Sequence, residues 1–89
     1  MAKISDVIKR RLIEAGVRFN ANDNISKYVN EEELKLLQKE VEVQFQNVLS
    51  SLVIDTENDH NTKETAKRVS KMWIKEVFGG RYKSLPNIT

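Results

Sequence analysis

His60 is the chain's single histidine, and it stands among Asp55, Glu57 and Asp59. That grouping raises metal binding first. A structural zinc site takes four convergent ligands, usually including Cys or several His. A calcium loop takes a fixed alternation of oxygen ligands around a central Gly and closes on a Glu. Residues 55–61 meet neither pattern and read as a solvated acidic loop. The other carboxylates are no better placed for chemistry. General acid–base work needs a carboxyl whose pKa is moved by burial or a neighbour. Glu31, Glu32 and Glu33 are explained as helix-start charges, and Glu40 and Glu42 fall between apolar positions, facing water. Ser50, Ser51 and Ser70 have no base or orienting group beside them. No Gly-rich phosphate loop is present, and Gly79-Gly80 follows a helix where a phosphate loop would precede one. Cysteine is absent, which removes a thiol nucleophile, a disulfide scaffold and thiolate metal sites together. No catalytic, metal or cofactor-binding residue is assigned, and no cofactor is expected in this chain.

Lys63, Lys67, Lys71 and Lys75 recur every fourth residue, with Arg68 nearby. On a helix they form one basic ridge that could neutralise phosphates. Val69, Met72 and Trp73 occupy the other side, however, so the ridge is also where an amphipathic helix carries its solvated face. The net charge is only +2, and no aromatic residue interleaves with the lysines to stack bases. A nucleic-acid partner is therefore not expected.

The elements that carry these residues are helical. Ile4, Ile8, Leu12 and Ile13 repeat at helical spacing, predicting a helix over about 5–15 that stops at Gly16. Residues 17–30 form an Asn-rich connection whose Val17, Phe19, Ile25, Tyr28 and Val29 pin it to something apolar. The next helix, about 31–52, has the clearest start. Asn30 suits the N-cap, Glu33 completes a capping box, and Val29 with Leu34 is placed for a hydrophobic staple. Leu34, Leu37, Val41, Phe45, Val48 and Leu52 make one stripe along its length. After the acidic loop 55–61, Thr62 or Thr65 can cap a third helix, about 65–78. Its apolar face is Val69, Met72, Trp73, Val77 and Phe78, and Gly79-Gly80 ends it in the left-handed region. The tail 81–89 reads as extended, and Pro86 keeps Leu85 out of the helical region.

Eighty-nine residues with 39% hydrophobic and 31% charged side chains make one small domain, not a disordered chain. The expected architecture is all-α: a small antiparallel assembly of about three helices spanning 1–89, with an extended C-terminal tail. The longest apolar run, Leu52-Val53-Ile54, is far too short to cross a bilayer. No secretory signal is visible at Met1-Ala2-Lys3, so a cytoplasmic setting and no membrane partner are expected. The long stripe needs a partner surface. Val41, Phe45, Val48, Leu52, Val69, Met72, Trp73 and Phe78 are the candidate packing or partner interface, which implies self-association or docking on a further domain.

From Asp55 to Tyr82 the chain resembles the N-terminal helical region of GTP cyclohydrolase I. That family carries an acidic loop, then Glu-Thr-Pro, an Arg-Val/Ile-Ala-Lys-Met core and a Glu-Ile/Val-Phe-Ser/Gly-Gly ending. Glu64-Thr65, Arg68-Val69, Lys71-Met72 and Glu76-Val77-Phe78 stand in register with it. Ala66 replaces the Pro and Ser70 the Ala, and both changes are mild. Leu85-Pro86-Asn87-Ile88-Thr89 resembles the lead into the family's first catalytic strand. The match is specific over about a third of the chain and looser upstream. The resemblance implies helices preceding a tunnelling-fold domain and a reaction converting GTP to dihydroneopterin triphosphate in folate and pterin synthesis. The family's zinc ligands, two Cys and a His, lie downstream of this segment, so no catalytic residue carries over and the chain is not expected to turn over GTP. Two readings stay open. One is the N-terminal helical portion of such an enzyme, packing on its own catalytic domain and neighbouring subunits, which the abrupt end favours. The other is a stand-alone helical module that binds or regulates a protein partner, with nucleic-acid binding through the lysine ridge as its lesser version.

Overall fold

The computed structural model describes residues 3–83 and is all-α, with no strand among them. Helix α1 spans Ile4–Glu14, α2 spans Glu31–Ser51 and α3 spans Thr65–Met72. The third rod continues through a π-helical segment, Trp73–Val77, and a short α4, Gly79–Tyr82, follows. One turn of 3₁₀ helix, Ser26–Tyr28, interrupts the Asn-rich connection.

The start of α2 forms as its sequence requires. The Asn30 side chain accepts from the Glu33 N–H, and the Glu33 side chain accepts in return from the Asn30 N–H. Each bond satisfies a donor the helix itself leaves free. The far end closes with a Schellman pattern. Val53 N–H donates to Ser50 O and Ile54 N–H to Leu49 O. The same pattern closes α1, where Gly16 N–H reaches Ile13 O and Val17 N–H reaches Leu12 O. Both motifs need a left-handed residue. Gly16 supplies it at φ 68°, and Val53 supplies it at φ 65°.

Helix α1 lies antiparallel to α2. The Ser5 N–H donates to the Glu40 carboxylate, while at the other end Arg11 donates to Glu33. α3 runs antiparallel to α2 on another side, because Thr56 accepts from Gln46 while Ile74 sits beside Leu34 and Gln38. The core is Ile8, Leu12, Ile25, Leu37 and Ile74, flanked by Ile4, Val17, Tyr28, Val29, Leu34, Val41 and Tyr82. Each buried aliphatic side chain contributes about 1.5–3 kcal/mol. All of this lies where α1, the connection and the π segment meet the first half of α2. The second half of α2 has α3 and the Thr56 segment of the α2–α3 connection beside it.

Several expectations require correction. Gly79 and Gly80 do not end the third helix in the left-handed region. Gly16 is the only glycine with positive φ among the described residues, and the two glycines open α4 instead. The rod turns at the π segment, where Phe78 N–H donates to Trp73 O. Neither Thr62 nor Thr65 caps α3. Its N-cap is Glu64, with no side-chain hydrogen bond, and Thr65 is already helical. The buried face of α3 is Ala66, Ser70 and Ile74, not the large side chains. Small residues at the seam let α3 lie close on α2, which rotates Met72 and Val77 towards solvent. Of the tail expected over 81–89, Arg81 and Tyr82 belong to α4, and 84–89 fall outside the described residues.

Candidate functional site

The residues singled out from sequence as an interface are placed in two ways. Val41 is half-buried against the core. Beyond it on the same stripe, Phe45 is half-buried, while Val48 is 54% and Leu52 64% exposed. On the facing rod Val69 and Phe78 are half-buried, and Met72 and Trp73 are each 40% exposed. α1 covers the stripe as far as Val41 and no further.

Aromatic rings tie the two rods together at this boundary. Phe45 meets Trp73 edge to face, with centroids 5.2 Å apart and planes at 80°. Trp73 also meets Phe78 at 5.6 Å. Edge-to-face geometry places a positive ring edge on a negative ring face and adds about 0.5–1.5 kcal/mol to area burial. Ile74 sits in the core while Trp73, the residue before it, reaches Phe45. A large indole left two-fifths open against Phe45, whose stripe continues through exposed Val48 and Leu52, is the composition of an interface anchor, not of a solvated face.

The other sequence candidates stay apart from this surface. Lys63, Lys67, Lys71 and Lys75 are all exposed. His60 is exposed, and the acidic loop spends its polar groups on itself. Asp59 accepts from the Asn61 N–H and the Thr62 hydroxyl, and Asp55 accepts from Asn58. No group of three His, Cys, Asp or Glu side chains able to hold a metal occurs among the described residues. Ser70 is fully buried and donates to Lys67 O. A cleft of about 250 Å³ opens between α2 and the π segment, lined by Glu31, Leu34, Lys35, Gln38, Ile74 and Lys75.

The strongest electrostatic feature is structural. Arg11 donates through two nitrogens to the two Glu33 oxygens at 2.8 and 2.7 Å, and also to Tyr28 O. The Arg11 guanidinium first, and the Asn30 N–H second, hold the Glu33 carboxyl at about 2. Asp23 is likewise held below its ordinary range, by Arg18 and then by the Asn20 N–H. Sequence reading found Glu33 as a cap but missed Arg11, because the partner is brought in by tertiary packing. It also missed Thr56, whose burial is visible only once Gln46 bonds it.

Compared with protein-family models, with curated proteins and with solved structures, the chain gives no match. No helix among the described residues is long and apolar enough to cross a membrane.

Proposed function

We propose that this chain is the N-terminal helical portion of a GTP cyclohydrolase I-like protein and acts by packing, not by catalysis, in a cytoplasmic setting. The observation that carries the packing role is the exposed continuation of the α2 stripe, Val48 and Leu52, next to the half-open Phe45–Trp73 pair. The family assignment rests on the run from Glu64-Thr65 through Glu76-Val77-Phe78. In this reading the stripe is covered by neighbouring subunits or by a following catalytic domain, and zinc and GTP are handled by residues outside this chain.

Two measurements test it. The intact mass of the native product is expected to exceed the 10.3 kDa of this chain, with GTP turnover in that same product. A native product of 10.3 kDa overturns the family reading and leaves a stand-alone binding module. Sedimentation of the 89-residue chain is expected to show self-association that rises with concentration. Val48→Asp with Leu52→Asp is expected to return it to a monomer with unchanged helical circular dichroism. A wild-type chain that remains monomeric at every concentration, with the same profile as the double variant, overturns the packing role.

A further inference from the structure

The Asn-rich connection is fastened to α4 by reciprocal hydrogen bonds across more than fifty residues of sequence. The Asn24 side-chain amide donates to Gly80 O and Lys83 O, both at 2.7 Å. Ile25 N–H donates to Arg81 O at 2.7 Å. These are carbonyls at the end of a helix, which have no partner within it. In return the Arg81 guanidinium donates to Asn20 O and Asp23 O.

The connection is braced for this task. The Asn24 Oδ1 accepts from the Ser26 N–H and hydroxyl, which fixes the side-chain amide so that its nitrogen faces α4. Asp23 accepts from Arg18 and from the Asn20 N–H. At its base, Ile25 is buried in the core beside Ile8 and Leu12. Every donor and acceptor of the Asn24 side chain is therefore used, two towards α4 and two within the loop. An Asn in a solvated turn would satisfy its nitrogen with water.

We infer that residues 20–25 are a clasp that holds α4, and with it the Lys83 carbonyl, in a fixed position against α1 and α2. A four-residue helix opening on two glycines has too few internal bonds to persist alone. The clasp supplies what the helix lacks, so the chain passes beyond Lys83 from a set point. This inference does not depend on the family proposed above.

Asn24→Asp tests it in the full chain. The change is isosteric and keeps the Oδ acceptor for Ser26, but it removes both donors and turns a carboxylate towards two carbonyls. Trypsin cuts after Arg81 and Lys83, and after Lys67 and Lys71 as internal controls. Loss of two hydrogen bonds of ordinary net strength is expected to speed cleavage after Arg81 by about tenfold or more, leaving the α3 sites unchanged. Amide exchange at Ile25 is expected to accelerate by a similar factor. Unchanged cleavage after Arg81 with unchanged exchange at Ile25 overturns the clasp. Equal acceleration at all sites also overturns it, because α4 would then be held only by the global fold.

Discussion

Glu33 shows one side chain serving two levels of structure. Its position three residues after Asn30 marks it as a cap, and the cap forms. The same carboxylate also takes the Arg11 fork, which fastens α1 to the start of α2 and reaches Tyr28 O. A carboxyl held at about 2 in the folded chain, against an ordinary 4.5, links folding to pH with a definite sign. The unfolded chain binds this proton first as pH falls. The stabilisation is complete above about 4.5 and is lost as pH drops towards 2. Stability to denaturant is expected to be flat from pH 7 to 5 and to fall through that lower window. Glu33→Gln is expected to be less stable at pH 7 and to fall less steeply in acid. Denaturation curves at stepped pH for both chains decide it, and identical slopes would contradict the assignment. Asp23, also held low by Arg18, adds to the acid sensitivity of both chains equally.

The helices themselves were legible where the signal is local. Gly16 closes α1, Asn30 opens α2, and the stripe from Leu34 to Val41 faces the core. The misreadings concern how elements meet. Periodicity draws the apolar face of the third rod through Val69, Met72, Trp73, Val77 and Phe78, of which Val69 and Phe78 are half-buried and Met72, Trp73 and Val77 are exposed. Burial is deepest instead along Ala66, Ser70 and Ile74, at plain i, i+4 spacing, because close approach to α2 favours small side chains. No periodicity in one helix reports the shape of its neighbour. The end of α2 falls where its stripe predicts, at Ser51 with Leu52 as C-cap, but the closing Schellman motif was not legible, since its left-handed position is filled by a β-branched residue. Val53 sits at φ 65° and is 92% exposed, so it carries strain with almost no packing to offset it. Val53→Gly is expected to raise stability by about 1 kcal/mol, the strain relieved less the added freedom of glycine in the unfolded chain. The thermal midpoint measures it, and an unchanged or lowered midpoint would show that Val53 makes a contribution its exposure conceals.

The molecule as a whole is uneven. Its extents are 50 × 32 × 21 Å and its radius of gyration is 15.2 Å, where a compact chain of this length would have about 12 Å. The length comes from the α2–α3 hairpin running beyond the end of α1. The near half holds the aliphatic core, the Arg11–Glu33 pair and the clasp. The far half buries only Thr56, Ala66 and Ser70, which withdraw little apolar area. Local opening free energy follows buried apolar contact, so the two halves differ in stability although α2 is continuous through both. Amides of residues 8–12 and 34–41 are expected to exchange only on global unfolding. Those of 46–51 and 66–70 are expected to exchange through a cheaper local opening. Leu12→Ala, at about 2–5 kcal/mol, is expected to bring the near-half rates towards the far-half rates. Uniform protection along α2 would contradict the division. Raising the concentration adds a second discrimination. If the uncovered stripe of Val48 and Leu52 packs against another copy, protection rises in the far half alone. A gain spread over both halves would mean that association uses some other surface.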